Sequence, residues 1–267
     1  MKKKIKILAT IQCRSNSSRF PYKILSKINN MPVYEILLLR LKKSKLIHKI
    51  LVVTTTSKKD DFFVKQLQKK KVDYYRGSQN NVLKRLAKGS SSINPEIIIH
   101  LTGDNPFIDI SMLDLMIKYF LKNIKKIDFL TNNGFSNLNK RTSPIGTDIQ
   151  IFKFKDLLKN LELTKNLKKK DLLEHPSLYF YREGRLYYKL HNLKLPKKWH
   201  RNYKPRLTID TKDDLKFWRF FFKRLRADKR SIYITLENIL KHLDKNMDLL
   251  KINRFVKQKI PILQNKN

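Results

Sequence analysis

The feature that most constrains this chain is the regular alternation of short apolar segments with longer amphipathic segments in its first half. Buried strands are indicated at residues 5–11, 51–55, 72–75 and 97–101. Helices are indicated between and after them, at residues 32–43, 59–70, 80–88 and 111–121. Strands that alternate with helices over short links pair in parallel, with helices packed on both faces of the sheet. We therefore expect an α/β fold with a doubly wound, mostly parallel sheet.

The second half of the chain has a less regular pattern. Residues 148–152 and 186–190 have the composition of strands and are expected to be antiparallel additions to the sheet. A further short strand is expected to end at Asp210, and helices are indicated at residues 211–226 and 239–250.

Neither a repeat nor a low-complexity linker divides the chain. A length of 267 residues is compatible with one large domain. We therefore predict a single domain over residues 1–267, with a core at about 4–226 and a C-terminal helical extension at about 227–267.

Composition limits the class of protein. Hydrophobic residues make up 41% of the chain, which is enough for a packed core. Apolar runs are too short for a membrane span, and the basic start lacks the cleavage site of a signal peptide. Cys13 is the single cysteine, so an internal disulfide and a cysteine-based zinc site are excluded. A cytoplasmic location is the expectation from these features.

The net charge of +38 comes from 60 Lys and Arg against 22 Asp and Glu. Such a charge can indicate a nucleic-acid-binding protein. However, the lysines are dispersed in short runs among many Asn and Ile residues, which favours a biased genome composition as the cause. Zinc ligands, an RNP-type motif and a concentrated basic and aromatic surface are not found in the sequence, so we expect no specific nucleic-acid partner. The positive field would still attract anionic substrates such as nucleotides.

Polar clusters follow three predicted strands, at the edge where open parallel sheets bind ligands. The first is a basic loop, residues 12–23, whose cations and small polar residues suit a polyphosphate. The other two are acidic and contain Asp104, in TGDNPFID, and Asp210, in RLTID. Two carboxylates from separate strand ends can share one Mg²⁺ that contacts phosphate oxygens. The alternatives are an ordinary solvated loop and two helix caps, formed by Asp104 or Asn105 and by Asp210 or Thr211.

Together, these clusters resemble the motifs of the cytidylyltransferases that make CMP-activated sugars. The branch named for the spore coat polysaccharide protein SpsF is the most similar, because IQCRSNSSRFPYK resembles its opening IQARxxSxRxPgKxL. Further segments resemble that branch in the same order: RGS with VLKR, LTGDNPFID, PIGTD, EH and RLTID. The resemblance covers about residues 5–215 and implies a Rossmann-like nucleotidyltransferase of the GT-A type.

The resemblance implies an Mg²⁺-dependent enzyme that transfers CMP from CTP to an acceptor and releases pyrophosphate. It assigns catalysis to Arg14, Lys23, Asp104 and Asp210, with both aspartates as Mg²⁺ ligands. It assigns nucleotide binding to Ile11, Gln12, Arg14, Arg19, Lys23, Ser78, Arg85 and Gly103. It assigns acceptor binding to Asp148, Gln150, Glu174, His175 and Arg206.

Some positions depart from the branch or lie outside its motifs. Cys13 replaces an alanine, which predicts a packing role, and Asn16 is expected to hold a left-handed turn in the basic loop. Gly103 is expected to let the backbone approach a ligand closely, whereas His100, after three isoleucines, is expected to be structural.

The acceptor and the assembly are less well defined by the resemblance. It implies a small anionic acceptor such as a sugar acid, in surface polysaccharide or glycoconjugate synthesis, and leaves a homodimer open. One alternative is a nucleotidyltransferase that uses UTP or GTP, or a GT-A glycosyltransferase that uses a UDP-sugar, although no D-x-D motif occurs. A basic nucleic-acid-binding module is the second alternative.

Overall fold

The secondary structure is taken from a computed structural model that describes residues 5–259, except residues 166, 168 and 227. The strands are β1 (Ile7–Gln12), β2 (Lys27–Ile28), β3 (Met31–Pro32), β4 (Lys49–Thr55), β5 (Tyr74–Gly77), β6 (Ile97–Thr102), β7 (Phe129–Thr131), β8 (Gln150–Lys153) and β9 (Leu190–Asn192). The α-helices are α1 (Val33–Leu41), α2 (Asp61–Lys69), α3 (Val82–Ser91), α4 (Ile110–Lys122), α5 (Phe154–Leu163), α6 (Lys170–Glu174), α7 (Leu178–Tyr181), α8 (Lys212–Arg224) and α9 (Leu236–Asp244). Within the described ranges, no helix is long and apolar enough to span a membrane.

The main sheet has the strand order β5-β4-β1-β6-β8-β7-β9. Strand β1 pairs in parallel with β4 and β6, and β4 pairs in parallel with β5. Strand β8 runs antiparallel to both of its neighbours, whereas β9 is parallel to β7. The mostly parallel α/β sheet is therefore confirmed. The strand expected at residues 186–190 begins later, at Leu190, as β9. The expectation that this strand is antiparallel is wrong, because β9 pairs in parallel with β7.

Helices cover both faces of this sheet because successive strand residues point to opposite sides. On β6, Ile97 and Ile99 belong to one hydrophobic cluster, which includes residues of α1, α4, α8 and α9. Ile98 belongs to a second cluster, with residues of α3, α5 and α7. Helix α9 lies in the predicted C-terminal extension and shares the first cluster with the sheet. The single domain stays a prediction, and its outer limits at residues 4, 227 and 267 lie outside the described residues.

The segment before Asp210 is not the strand that the sequence predicts. It makes a single bridge, between Arg206 and Ile145. The amide of Leu207 donates to the carbonyl of Ile145 at 2.7 Å, while the amide of Ile209 donates to the carbonyl of Asp104 at 2.8 Å. Because the amides of Leu207 and Ile209 donate to two different loops, no continuous ladder forms. The same contacts hold the Asp210 segment against the loop that follows β6.

Candidate active site

A cleft of about 570 Å³ opens at the carboxyl ends of β1 and β6. Most of the site residues predicted from the sequence line it, namely Gln12, Arg14, Arg19, Lys23, Asp104, Asp148, Gln150, Glu174, His175 and Asp210. The position agrees with the rule that open α/β sheets bind ligands at this edge. The fold therefore brings together residues from almost the whole length of the chain.

The two predicted metal ligands meet at one ammonium group. Lys23 Nζ lies 2.7 Å from Asp104 Oδ2 and 2.8 Å from Asp210 Oδ1. Burial alone would lower the pKa of Lys23, but the two carboxylates outweigh it and raise that pKa above its ordinary value. Two carboxylates that belong to separate segments of the chain thus point at one cationic centre.

Asp210 has further cationic partners. Arg19 Nη2 lies 3.1 Å from Asp210 Oδ1, and Arg206 Nη2 lies 2.8 Å from Asp210 Oδ2. Burial would raise the pKa of the Asp210 carboxyl, but Lys23, Arg19 and Arg206 together lower it. The carboxylate is therefore ionised and fixed in orientation, as a metal ligand must be.

Neither aspartate caps the helix that follows it. Helix α4 is capped by Asp109, whose carboxylate accepts from the amide of Met112 at 3.0 Å. Helix α8 is capped by Thr211, in a capping box with Asp214. The helix-cap alternative is therefore wrong for the Asp104 cluster but confirmed for the RLTID cluster, where Thr211 is the cap. Neither Asp104 nor Asp210 is itself the cap, and both line the cleft.

The pair of aspartates fits a magnesium ion in its chemistry. Carboxylate oxygens are the ligands that Mg²⁺ prefers, and this ion usually takes one or two carboxylates together with water and substrate phosphates. Among the described residues, no group of three or more Asp, Glu, His or Cys side chains could hold a metal. Asp104 and Asp210 match in number and type the carboxylates that such an ion would use, and Mg²⁺ binding stays a prediction.

Arg206, one of the predicted acceptor-binding residues, contacts two carboxylates of the protein. Its Nε donates to Asp214 Oδ1 at 2.9 Å, and its Nη2 reaches Asp210. The fully buried Asp214 also accepts from the amide of Asp210 at 2.9 Å. Arg206 does not line the cleft. Its contacts orient Asp210, and its predicted contact with an acceptor stays a prediction.

The basic loop turns back at Tyr22. Tyr22 has φ of 58°, in the left-handed region, whereas Asn16 is not among the residues with positive φ. The left-handed residue is therefore Tyr22 and not Asn16, which corrects the sequence-based expectation. Immediately after Tyr22, a short 3-10 helix spans Lys23–Leu25 and turns Lys23 into the protein.

Two of the predicted nucleotide-binding residues are tightly packed. Ile11 is fully buried in β1, between β4 and β6. Gly103 does not line the cleft, and a Cβ at this position would lie 2.1 Å from Cys13 Sγ. This packed neighbour is by itself a reason for a glycine. The predicted contacts of the Ile11 backbone and of Gly103 with the nucleotide stay predictions, whereas the packing role expected for Cys13 agrees with its burial.

The close packing of Gly103 against Cys13 predicts that Cys13→Ala relieves the loss of stability caused by Gly103→Ala. Gly103→Ala is expected to destabilise the protein by about 1–3 kcal/mol, as over-packing of a core does. In Cys13→Ala/Gly103→Ala the Sγ atom is gone, and the remaining neighbours of the new Cβ lie at 3.4 and 3.5 Å, which are ordinary contacts. Urea unfolding of both single variants and the double variant would measure the coupling. Destabilisation equal to the sum of the single effects would contradict this account.

Ser78 and Arg85 lie behind the cleft lining. Arg85 is 1% exposed, and its Nη1 donates to the carbonyl of Ser78. Its Nε and Nη2 have no hydrogen-bond partner among the described residues. Burial, and then the neighbouring Arg14, lower the pKa of Arg85 to about 10. The predicted contacts of these two residues with the base and ribose stay predictions.

His100 has a place in the cleft that sequence reasoning missed. It lines the floor, next to Gln150 across the strand pair β6–β8. Burial, and then the charges of Arg85 and His175, lower its pKa to about 4, so the ring is neutral at neutral pH. The available signal was its position near the carboxyl end of a buried strand.

The wall that carries the predicted acceptor residues is polar. Asp148 forms an ion pair with the buried Arg141, a second cleft residue that the sequence analysis did not identify. Glu174 ends α6, and His175 follows it with a pKa lowered chiefly by burial. This wall therefore offers both donors and acceptors of hydrogen bonds.

The sequence of this chain is similar to the sequences of known proteins. The sequence pattern of the cytidylyltransferase family matches residues 8–258. An uncharacterized protein of Methanocaldococcus jannaschii is 33% identical over 255 residues, which are 96% of this chain and 97% of that protein. The spore coat polysaccharide biosynthesis protein SpsF of Bacillus subtilis is 29% identical over 212 residues, 78% of this chain and 82% of SpsF.

The fold of this chain is also similar to that of a solved structure. A cytidylyltransferase from Leptospira borgpetersenii superposes with a TM-score of 0.81 at 30% identity, covering 96% of this chain and 99% of the other. The family match thus includes β1, the basic loop and both aspartate segments. The resemblance inferred from the motifs is confirmed: this chain belongs to the cytidylyltransferase family and is a nucleotidyltransferase.

Proposed function

We propose that this protein is an Mg²⁺-dependent cytidylyltransferase that transfers CMP from CTP to a sugar-type acceptor and releases pyrophosphate. The observation that carries the proposal is the meeting of Asp104, Asp210 and Lys23 at the end of a basic loop. A triphosphate needs cations for its charge and carboxylates for its metal ion, and this cleft offers both.

The basic loop has the role of holding the triphosphate. Arg14, Arg19 and Lys23 bind its phosphates and neutralise the charge on the departing pyrophosphate. Asp104 and Asp210 would hold Mg²⁺, which supplies Lewis-acid polarisation of the α-phosphate when bound. Phosphoryl transfer depends on positioning and electrostatic stabilisation, so no covalent nucleophile is needed.

The acceptor binds against the opposite wall in this proposal. Asp148, Gln150, Glu174 and His175 contact it there and direct one hydroxyl group to the α-phosphate. We infer that the acceptor is a sugar acid and that the reaction serves a surface polysaccharide. The similarity to SpsF, a spore coat polysaccharide biosynthesis protein, supports the role in polysaccharide synthesis. We also infer a cytoplasmic location, where CTP is available.

The test of nucleotide choice needs no acceptor. CTP with Mg²⁺ is expected to stabilise the protein by about 2.7 kcal/mol at 100 times its Kd, since only the folded state binds it. UTP, GTP and ATP at the same concentration are expected to give smaller shifts in the melting temperature. A shift with UDP-sugars alone would overturn the proposal in favour of a glycosyltransferase.

Acceptor identity can be tested by release of pyrophosphate. A panel of sugar acids, with the corresponding neutral sugars as matched controls, is incubated with the protein, CTP and Mg²⁺. Release that depends on both CTP and a sugar acid supports the proposed acceptor class. Release with neutral sugars only would retain the cytidylyltransferase and reject the sugar acid.

A further inference from the structure

The basic loop closes on a single residue, Ser15. The carbonyl oxygen of Ser15 accepts from the amide of Ser17 at 3.1 Å and from the amide of Tyr22 at 2.8 Å. The backbone at Ser17 and at Tyr22 is therefore fixed relative to this one residue. Because Lys23 follows Tyr22 directly, Ser15 helps to place the Lys23 backbone, from which the ammonium group reaches Asp104 and Asp210.

Ser15 is in turn held by a buried carboxylate from another segment. Its amide donates to Asp60 Oδ1 at 2.6 Å. Asp60 Oδ2 accepts from the amide of Thr55 at 3.2 Å and from the Thr55 hydroxyl. Asp60 is 1% exposed, so solvent cannot replace these contacts. A path of hydrogen bonds thus connects the end of β4 with the basic loop.

The usual explanation of an aspartate at this position does not apply. Asp60 is the N-cap residue of α2, where an aspartate commonly accepts from an amide of its own helix. Here its side chain makes no capping hydrogen bond. Both carboxylate oxygens are instead directed to Ser15 and Thr55, at the expense of the cap.

We propose that Asp60 is a positioning residue for triphosphate binding, which acts by fixing Ser15 and through it the basic loop. This inference rests on the proposed function, since it assumes that the loop holds the phosphates of CTP. A carboxylate suits the position because both of its oxygens accept hydrogen bonds and all of its partners are donors. An amide at the same position would direct its NH₂ group at one of these donors.

The test compares two aspartates with similar surroundings. Asp109 is also 1% exposed, and it accepts from the amides of Met112 at 3.0 Å and Leu236 at 2.6 Å, away from the cleft lining. Asp60→Asn and Asp109→Asn are both expected to lower the melting temperature, because each leaves a buried donor without an acceptor. Binding of tripolyphosphate and of CTP with Mg²⁺ to the folded proteins is then measured by calorimetry.

Asp60→Asn is expected to lower the affinity for tripolyphosphate and for CTP roughly 10–100-fold. The affinities of Asp109→Asn should stay within about twofold of those of the wild type. In turnover, Asp60→Asn should raise the KM for CTP more than it lowers kcat. Thr55→Val substitutes no residue of the loop but removes one donor to Asp60 and the acceptor of the Ser57 amide. Asp60 is then held less firmly, so we expect a smaller loss of affinity in the same direction. This variant keeps the proposal testable if Asp60→Asn does not fold.

The experiment distinguishes a failure of the proposed function from a failure of the role proposed for Asp60. If wild-type protein binds neither CTP nor tripolyphosphate, the proposed function fails and the role of Asp60 fails with it. If wild-type protein binds both, but the Asp60 and Asp109 variants lose affinity equally, only the role of Asp60 is overturned. Unchanged affinity in Asp60→Asn or, where that variant does not fold, in Thr55→Val has the same consequence.

Discussion

Asp104→Asn is expected to lower turnover by on the order of 10³-fold, which corresponds to about 4 kcal/mol of transition-state stabilisation. The amide keeps the size of the side chain but removes the charge that a metal ion and Lys23 require. The fold should persist, because Lys23 retains Asp210, 2.8 Å from its Nζ. Steady-state release of pyrophosphate with CTP, together with the melting temperature, would measure the two effects separately.

Asp73→Asn is a suitable control, because Asp73 forms an exposed ion pair with Lys49 outside the cleft. Exposed pairs of this kind contribute about 0–1 kcal/mol, so turnover and stability should change little. Turnover of Asp104→Asn equal to that of the control would remove Asp104 from the proposed metal site.

Gly146→Ala is the second variant with a large expected effect. Gly146 has φ of +95°, and a Cβ there would lie 2.2 Å from the Thr208 amide nitrogen. The obstacle is backbone, so it cannot rotate away, and we expect a loss of roughly 3 kcal/mol of stability. The backbone that would have to move leads directly to Asp210.

A shift of that segment would also misplace the Asp210 carboxylate. A displacement of about 1 Å can cost on the order of 10²-fold in rate, so turnover should fall by about that factor even below the melting temperature. Gly89→Ala is the matched control, since Gly89 has no positive φ and the nearest neighbours of a Cβ there are side-chain atoms of Tyr75, at 3.0 Å. Wild-type turnover in a folded Gly146→Ala protein would contradict the account.

The fold could be predicted from local patterns, with errors where strands are short. The alternation of apolar strands and amphipathic helices over the first 122 residues is present in the structure, with boundaries moved by a few residues. The short strand β7 and helix α5 were not predicted, and the segment before Asp210 was wrongly predicted to be a strand. That segment contains apolar residues at strand spacing, but its amides bond to two separate loops.

Much of the candidate site could also be placed from the sequence. Motif order indicated that the basic loop, Asp104 and Asp210 belong together, and the fold brings them to one cleft. The contacts of Arg206 with Asp210 and Asp214 were not predicted, because the same arginine can face a ligand or hold a carboxylate. Asp60 and Arg141 were missed, since isolated acidic and basic residues in a highly charged chain carry no local signal.

By itself, the sequence determined the order of strands and helices, because the side-chain period that produces each element is a local property of the chain. It also placed Arg14 and Asp104 at strand ends, where a parallel sheet gathers its polar groups. Only the tertiary structure decided which carboxylate Lys23, Arg206 and Ser15 each bind. The partners of Lys23 and Ser15 are far away in the chain, so these pairings exist only after the sheet has formed. The partners of Arg206 are nearby in the chain, but several carboxylates were within its reach and the fold decided among them.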